Sequence, residues 1–263
     1  MPIATHNGIQ IAYELAGSGP PLVMLHGWSD TRSTWRRHGC VDMLQDVCQL
    51  ILIDGRGSGE SSAPHTPAGY ELRLLADDVI AVLDDLGIRR AHLLGYSLGA
   101  YLGWMLARHY AERLRCLILG GAGAYHHGDA RQPDPTLALY EQAATEGVDL
   151  IVATWTERFG PLAPQDEARL RATDIRALAA QRRWMHEHTY DFRPDLASLA
   201  LLCLLYMGTA DERHLSACQA CAAQLARAVL VELPGMTHRD ASRAAAELAP
   251  HVRAFVATVS QAD

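Results

Sequence analysis

Gly95-Tyr96-Ser97-Leu98-Gly99 sets one hydroxyl between two glycines, after an apolar run and before a helix-like stretch. In that setting a tight strand-to-helix turn lifts the serine out at the strand end. Residues two positions away must then be tiny, or their Cβ atoms clash. The string alone is weak, since it arises by chance in roughly one chain in ten of this length. A serine hydroxyl is a poor nucleophile at its free pKa and needs a base, an orienting carboxylate and an oxyanion site. Each has a candidate in the chain order Ser, acid, His. The acid is Asp211 in GTADE, just past an apolar run. A turn-forming Asp is the alternative there, with Asp240 and Asp129 as fallback acids. The base is His238, after a further apolar run and a Pro-Gly turn, at the mouth of the last helix. Thirteen histidines are present, so His238 stands on its placement and not on its type. The oxyanion donors are the backbone N–H groups of Leu98, directly after the serine, and Trp28, after His26-Gly27 at an early strand end. One such donor contributes ~10²–10³ in rate.

Positioning these residues requires strand ends that converge. Strand-like and helix-like segments alternate, which predicts an α/β chain with a mostly parallel sheet. Strands are expected at 9–14, 21–25, 50–53, 92–94, 114–119, 201–207 and 228–233. Helices are expected at 70–86, 98–109, 212–226 and 242–256, with a short helix or loop at 30–40. Along 70–86, Leu72, Leu75, Val79, Val82, Leu83 and Leu86 share a face, and Gly87 closes it. From Gly120 to about Leu199 the rhythm stops. Helical stretches and the loop HHGDARQPDPT replace it, with no convincing strand. A connection that long predicts a helical insertion, 121–199, between core segments 1–120 and 200–263.

Composition narrows the chemistry further. The 263 residues carry a formal net charge of −7, and all 23 basic residues are arginine. With no lysine there is no Schiff-base lysine, no phosphate-loop lysine and no Ser-Lys dyad. The arginines are scattered, which disfavours nucleic acid and anionic membranes as partners. No window approaches the roughly 18–20 apolar residues of a membrane span. The opening MPIATHNGIQ has neither a basic nor an apolar leader region, so no secretory signal is expected. Of six cysteines, only Cys218-Gln-Ala-Cys221 has a metal-like or redox-like spacing. It lacks a second ligand pair and sits in an Ala-rich helical stretch, so helix packing is the expectation. The cysteine balance predicts a reduced, cytoplasmic compartment. His186-x-His188 and His126-His127 lack a third ligand, and no metal or cofactor is expected.

Five ordered segments, LHGWSD, DGRGSGESS, LLGYSLGA, GTADE and PGMTH, resemble the α/β-hydrolase fold family over nearly the whole chain. The resemblance implies an eight-stranded, mostly parallel sheet with flanking helices and a helical cap insertion. DGRGSGESS is similar to the family's D-x-R-G-x-G-x-S loop and reads as a structural corner. Gly121-x-Gly123 is no dinucleotide turn, because His126 stands where the third glycine belongs. Two positions depart from the pattern. Arg239 stands where relatives often carry an apolar or aromatic residue, and the stretch before GTADE lacks a proline.

The leading functional expectation is a serine carboxylic-ester hydrolase acting through an acyl-enzyme on a small-molecule ester. Family members that cleave haloalkanes or epoxides use Asp at the elbow, which Ser97 disfavours. HGW is similar to some perhydrolases, which makes perhydrolysis a side activity to consider. Carbon–carbon bond hydrolysis, lyase or cyclase chemistry, and a ligand-binding protein with little turnover stay open beside it. Tyr96, Trp155, Phe159, Trp184, Met185 and Tyr190 are the candidate substrate-pocket residues, with self-packing of the cap as the alternative. A monomer or homodimer is expected.

Overall fold

Inner strands that are apolar on both faces must be covered on both sides. The computed structural model describes residues 1–260, apart from the side chains of Phe159 and Ser260. Its main sheet is built from β1 (Ile3–His6), β2 (Ile9–Ala16), β3 (Pro21–Leu25), β4 (Gln49–Ile53), β5 (Ala91–Tyr96), β6 (Leu114–Gly120), β9 (Leu202–Gly208) and β10 (Ala228–Leu233). A separate ladder pairs β7 (Tyr125–His126) with β8 (Tyr190–Asp191). The main sheet runs in the order β1-β2-β4-β3-β5-β6-β9-β10. The β1/β2 and β2/β4 pairs are antiparallel, and the other pairs are parallel.

Period-two alternation sorts the strand residues between two cores. Leu22, Met24, Leu52, Leu94 and Ile118 pack under α1 (Ser33–Arg37), α2 (Cys40–Leu44) and the last helix, α11 (Ala245–Ser260). Val23, Leu25, Ile53, Leu93 and Leu119 pack under α3 (Leu72–Asp85) and α4 (Leu98–Tyr110). The chain thus leaves β3 towards one face and β5 towards the other. Adjacent parallel strands that depart to opposite faces open a crevice at their carboxyl ends. Ser97 and the loop after β3 meet in that crevice.

Between β6 and β9 come α5 (Pro135–Glu146), α6 (Asp149–Phe159), α7 (Pro164–Arg171) and α8 (Ile175–Glu187). Asp134 caps α5 by accepting from the Thr136 and Leu137 N–H groups, and Asp174 caps α8 through Ala177 N–H. Each cap satisfies a donor that the first helical turn leaves orphaned. Tyr140, Ile151, Leu170 and Leu178 form a cluster of their own, against which Trp28 packs from the loop after β3. Asp166 of α7 reaches Arg37 at 3.0 Å, Arg243 at 3.7 Å and Arg239 at 3.9 Å. The unusual Arg239 therefore belongs to an ion cluster between α7 and the sheet's last loops. The remaining helices are α9 (Glu212–Gln224) and α10 (His238–Ala241).

The DGRGSGESS loop is a corner in the structure as well. Asp54 accepts from the backbone N–H of Arg32 at 2.7 Å and of Glu60 at 3.0 Å, while its side chain is paired with Arg32. Arg56 donates to both oxygens of the buried Asp78, at 2.8 and 2.9 Å. The sequence reading misses β1, the short helices α2 and α10, and the β7/β8 ladder within a segment read as free of strands. Pairs of four and two residues are too short to show a period. Among the described residues, no helix is long and apolar enough to cross a membrane.

Candidate active site

Ser97 joins β5 to α4 at φ 55° and ψ −110°, a conformation that costs a non-glycine residue. The flanking glycines are required by close approach. A Cβ on Gly95 would lie 2.3 Å from the Gly99 carbonyl oxygen, and one on Gly99 would lie 2.2 Å from the Leu25 carbonyl oxygen. The obstacles are backbone atoms, one in the first turn of α4 and one at the end of β3, that cannot swing aside as a side chain could. Gly99→Ala is therefore expected to destabilise the fold by roughly 3 kcal/mol, the upper end of overpacking costs. A denaturant midpoint within error of the parent protein would contradict the tight turn.

A chain of hydrogen bonds leads away from the serine. His238 Nε2 lies 3.2 Å from Ser97 Oγ, and His238 Nδ1 lies 3.0 Å from Asp211 Oδ2. Asp211 follows β9, His238 follows β10, and both stand at the carboxyl edge of the sheet. The His238 carbonyl accepts from the buried Tyr96 hydroxyl at 2.5 Å, which fixes the backbone beneath the ring. This arrangement can pass a proton from a hydroxyl to an imidazole and hold the imidazolium that results. The fallback acids are occupied elsewhere. Asp240 forms a capping box with Thr237, and Asp129 pairs with Arg131.

A second histidine enters that the sequence reading passed over. His214 Nδ1 lies 2.9 Å from each oxygen of Asp211, and its ring centre is 5.0 Å from that of His238. Its signal was present as D-x-x-H, a spacing that returns to the same face one turn into a helix. Burial works to raise the Asp211 pKa, but the hydrogen bonds and charges of His214 and His238 outweigh it and hold it below the ordinary carboxylate range. Burial, and then the charge of His214, lower the His238 pKa, with Asp211 opposing them. Asp211, His214 and His238 each offer one metal-ligand atom, all within 4.8 Å of one another. These atoms already meet one another in the Asp–His bonds.

The loop after β3 approaches from the other side. A Cβ on Gly27 would lie 3.5 Å from the Ser97 Cβ. His26 Nε2 accepts from Gly55 N–H at 3.1 Å, so the ring proton sits on Nδ1 and is donated to the Gly27 carbonyl at 2.8 Å. Ser29 has φ 63°, and its carbonyl accepts from Arg169 of α7. Among the described residues, the Trp28 and Leu98 N–H groups bond no backbone acceptor outside regular elements. Both residues line the cavity that opens on Ser97.

Comparison with known proteins decides the family. The family model for the alpha/beta hydrolase fold matches residues 20–146. The crystal structure of a hydrolase from Pseudomonas aeruginosa PA01 superposes on 97% of this chain and 96% of its own, at 30% identity and a TM-score of 0.78. The chain belongs to the alpha/beta hydrolase fold family. Among curated relatives, a pimeloyl-(acyl-carrier protein) methyl ester esterase of Aeromonas hydrophila is 37% identical over 110 residues, 42% of this chain and 41% of that protein. Bifunctional epoxide hydrolase 2 of Sus scrofa is 32% identical over 110 residues, 42% of this chain and 20% of that protein. The matches thus span a fifth to about two-fifths of those two relatives' own length.

In this alpha/beta hydrolase a cavity of about 490 Å³ opens on Ser97 and His238. That volume lies within the span of small-molecule sites. Met185 lines it, and Tyr96 lines a smaller recess beside Ser97 and His238. Three of the aromatic residues read as pocket lining are placed elsewhere. Trp155 packs with Tyr140 in the α5–α8 cluster. Trp184 stacks on His188 and donates to the Tyr190 hydroxyl at 2.7 Å, while both side chains pack against the α3/α4 core. They bury apolar area more fully there than in an open cavity. The Phe159 side chain lies outside the described residues. His126, His127, Arg182 and Arg213 line the cavity, and none was selected as lining from the sequence. Cys218 and Cys221 are buried in α9, with the Cys218 thiol pushed up to about 12, mainly by burial. Cys221 Sγ accepts from Ala124 N–H, so both cysteines pack a helix.

Proposed function

We propose that this protein is a serine hydrolase of small carboxylic esters working through an acyl-enzyme. The observation that carries the reading is the linked Ser97–His238–Asp211 geometry, at 3.2 and 3.0 Å, on a strained turn. His238 takes the Ser97 proton as Oγ attacks the carbonyl. Asp211 fixes the ring tautomer and stabilises the imidazolium. The Trp28 and Leu98 N–H groups receive the oxyanion, and His238 protonates the departing alkoxide. Water, deprotonated by the same ring, then frees the acid and restores Ser97. Residues 121–199 act as a cap over the strand ends, with Trp28 anchoring the oxyanion loop to it.

Ester cleavage fits the serine better than epoxide opening does. A carboxylate that opens an epoxide leaves an ester, which water can hydrolyse. A serine would leave an ether, which water cannot turn over under the same catalysis. Methanol release from simple methyl esters, compared between the parent and Ser97→Ala proteins, tests the reading. Equal release from both would remove it.

The base must be neutral to accept a proton. Burial and the His214 charge depress the His238 pKa, so kcat/KM should fall with acid at a midpoint below the ordinary value of 6.5. Removing the His214 charge makes the His238 cation easier to form. His214→Gln should therefore raise that midpoint and reduce activity on the acid side. A parent midpoint above pH 7, or a downward move in His214→Gln, would contradict this electrostatic account.

A further inference from the structure

The cavity beside Ser97 has an unusual charge for this chain. The protein carries 30 acidic and 23 basic residues, yet no Asp or Glu lines that cavity, while Arg182 and Arg213 both do. Arg182 is partly neutralised, since its Nε donates to Asp134 at 2.8 Å, and its guanidinium lies 5.6 Å from the Trp28 ring centre. Arg213 is the second residue of α9; its backbone carbonyl accepts from Ser216 Oγ at 3.0 Å, while its guanidinium makes no ion pair or hydrogen bond with any described residue. His126 adds no counter-charge. Its Nε2–H donates to the Met185 carbonyl at 2.7 Å; burial lowers its pKa against the opposing pull of that bond, with the charges of Arg182, His127 and Arg213 also lowering it. One largely uncompensated guanidinium therefore shares the cavity with the reactive serine.

We propose that Arg213 binds a carboxylate on the substrate, so that this site takes anionic esters such as half-esters of dicarboxylic acids. The inference rests on the ester-hydrolase reading and names its substrate class. A guanidinium offers a planar pair of donors that matches a carboxylate. With Arg182 already paired, the free charge matches a monoanion better than a phosphate dianion.

The test compares monomethyl glutarate with its neutral isostere, methyl 5-methylhexanoate, by methanol release. The parent should favour the half-ester in kcat/KM. Arg213→Gln should cut that preference by about 10–100-fold, the worth of one charge-assisted hydrogen bond, mainly through KM. Arg213→Lys should restore part of it, and a thermal melt of each variant controls for folding. Equal kcat/KM for the two esters in the parent, or an unchanged ratio in Arg213→Gln, overturns the proposal and leaves ester hydrolysis standing. Calorimetric binding of monomethyl glutarate to Ser97→Ala and to Ser97→Ala/Arg213→Gln separates the two readings. If neither ester is cleaved but binding is present and lost with Arg213, hydrolysis fails and the carboxylate site stands. No binding to Ser97→Ala, or equal binding to both, overturns the site.

Discussion

Ser97→Ala and His238→Ala are each expected to lower ester turnover by roughly 10⁴–10⁶ while leaving the fold intact. The two losses should be similar in size and should not add in the double variant. The reason is that the groups act as one unit: Oγ is a useful nucleophile only while Nε2, 3.2 Å away, can take its proton. Truncation at either position removes few buried contacts. Ser97→Ala keeps the Cβ that faces Gly27, and the turn is held by the Gly95 and Gly99 approaches. Single-turnover kinetics with circular dichroism of each variant will check this. Additive losses, or near-parent turnover in a folded variant, would falsify the shared role.

Asp211→Asn should reduce kcat by about 10⁴ with little change in structure, because an amide supports the wrong imidazole tautomer. The environment sharpens this expectation. Asp211 faces two imidazoles, with Nδ1 of His214 at 2.9 Å and Nδ1 of His238 at 3.0 Å. A carboxylate accepts from both at once. An amide has one accepting oxygen and one NH₂ group, so at least one ring must turn its proton away. His214 is closer and contacts both oxygens, so it competes for the remaining acceptor. The double variant Asp211→Asn/His214→Ala should then recover some of the lost rate by leaving that acceptor to His238. Asp211→Asn within tenfold of the parent, with the same pH profile, would mean that another group orients His238.

Much of this was legible in the chain. Each of the Ser97, Asp211 and His238 positions follows an apolar run, and in α/β sheets chemistry collects at such strand ends. Gly95 could be read because its clash with the Gly99 carbonyl is local, whereas the obstacle at Gly99 is the Leu25 carbonyl of the neighbouring strand β3. The glycines in the corner loop likewise read as structure. Other features depend on packing between distant segments. Trp184 and Tyr190 bear aromatic types suited to a pocket, yet a mutual hydrogen bond and the α3/α4 core take them up. The β7/β8 ladder joins residues about 65 positions apart through two pairs, below the length at which alternation can be seen. His214 was readable from its spacing to Asp211 once α9 was placed. Arg213 was not, because the absence of an acidic partner is a property of the folded cavity.

The most direct test is to label the purified protein with a fluorophosphonate probe and map the adduct by mass spectrometry, with Ser97→Ala alongside. This account predicts a single adduct on Ser97 that is absent from the variant and suppressed in His238→Ala. A folded parent protein that takes no probe, or takes it on a residue other than Ser97, would contradict it.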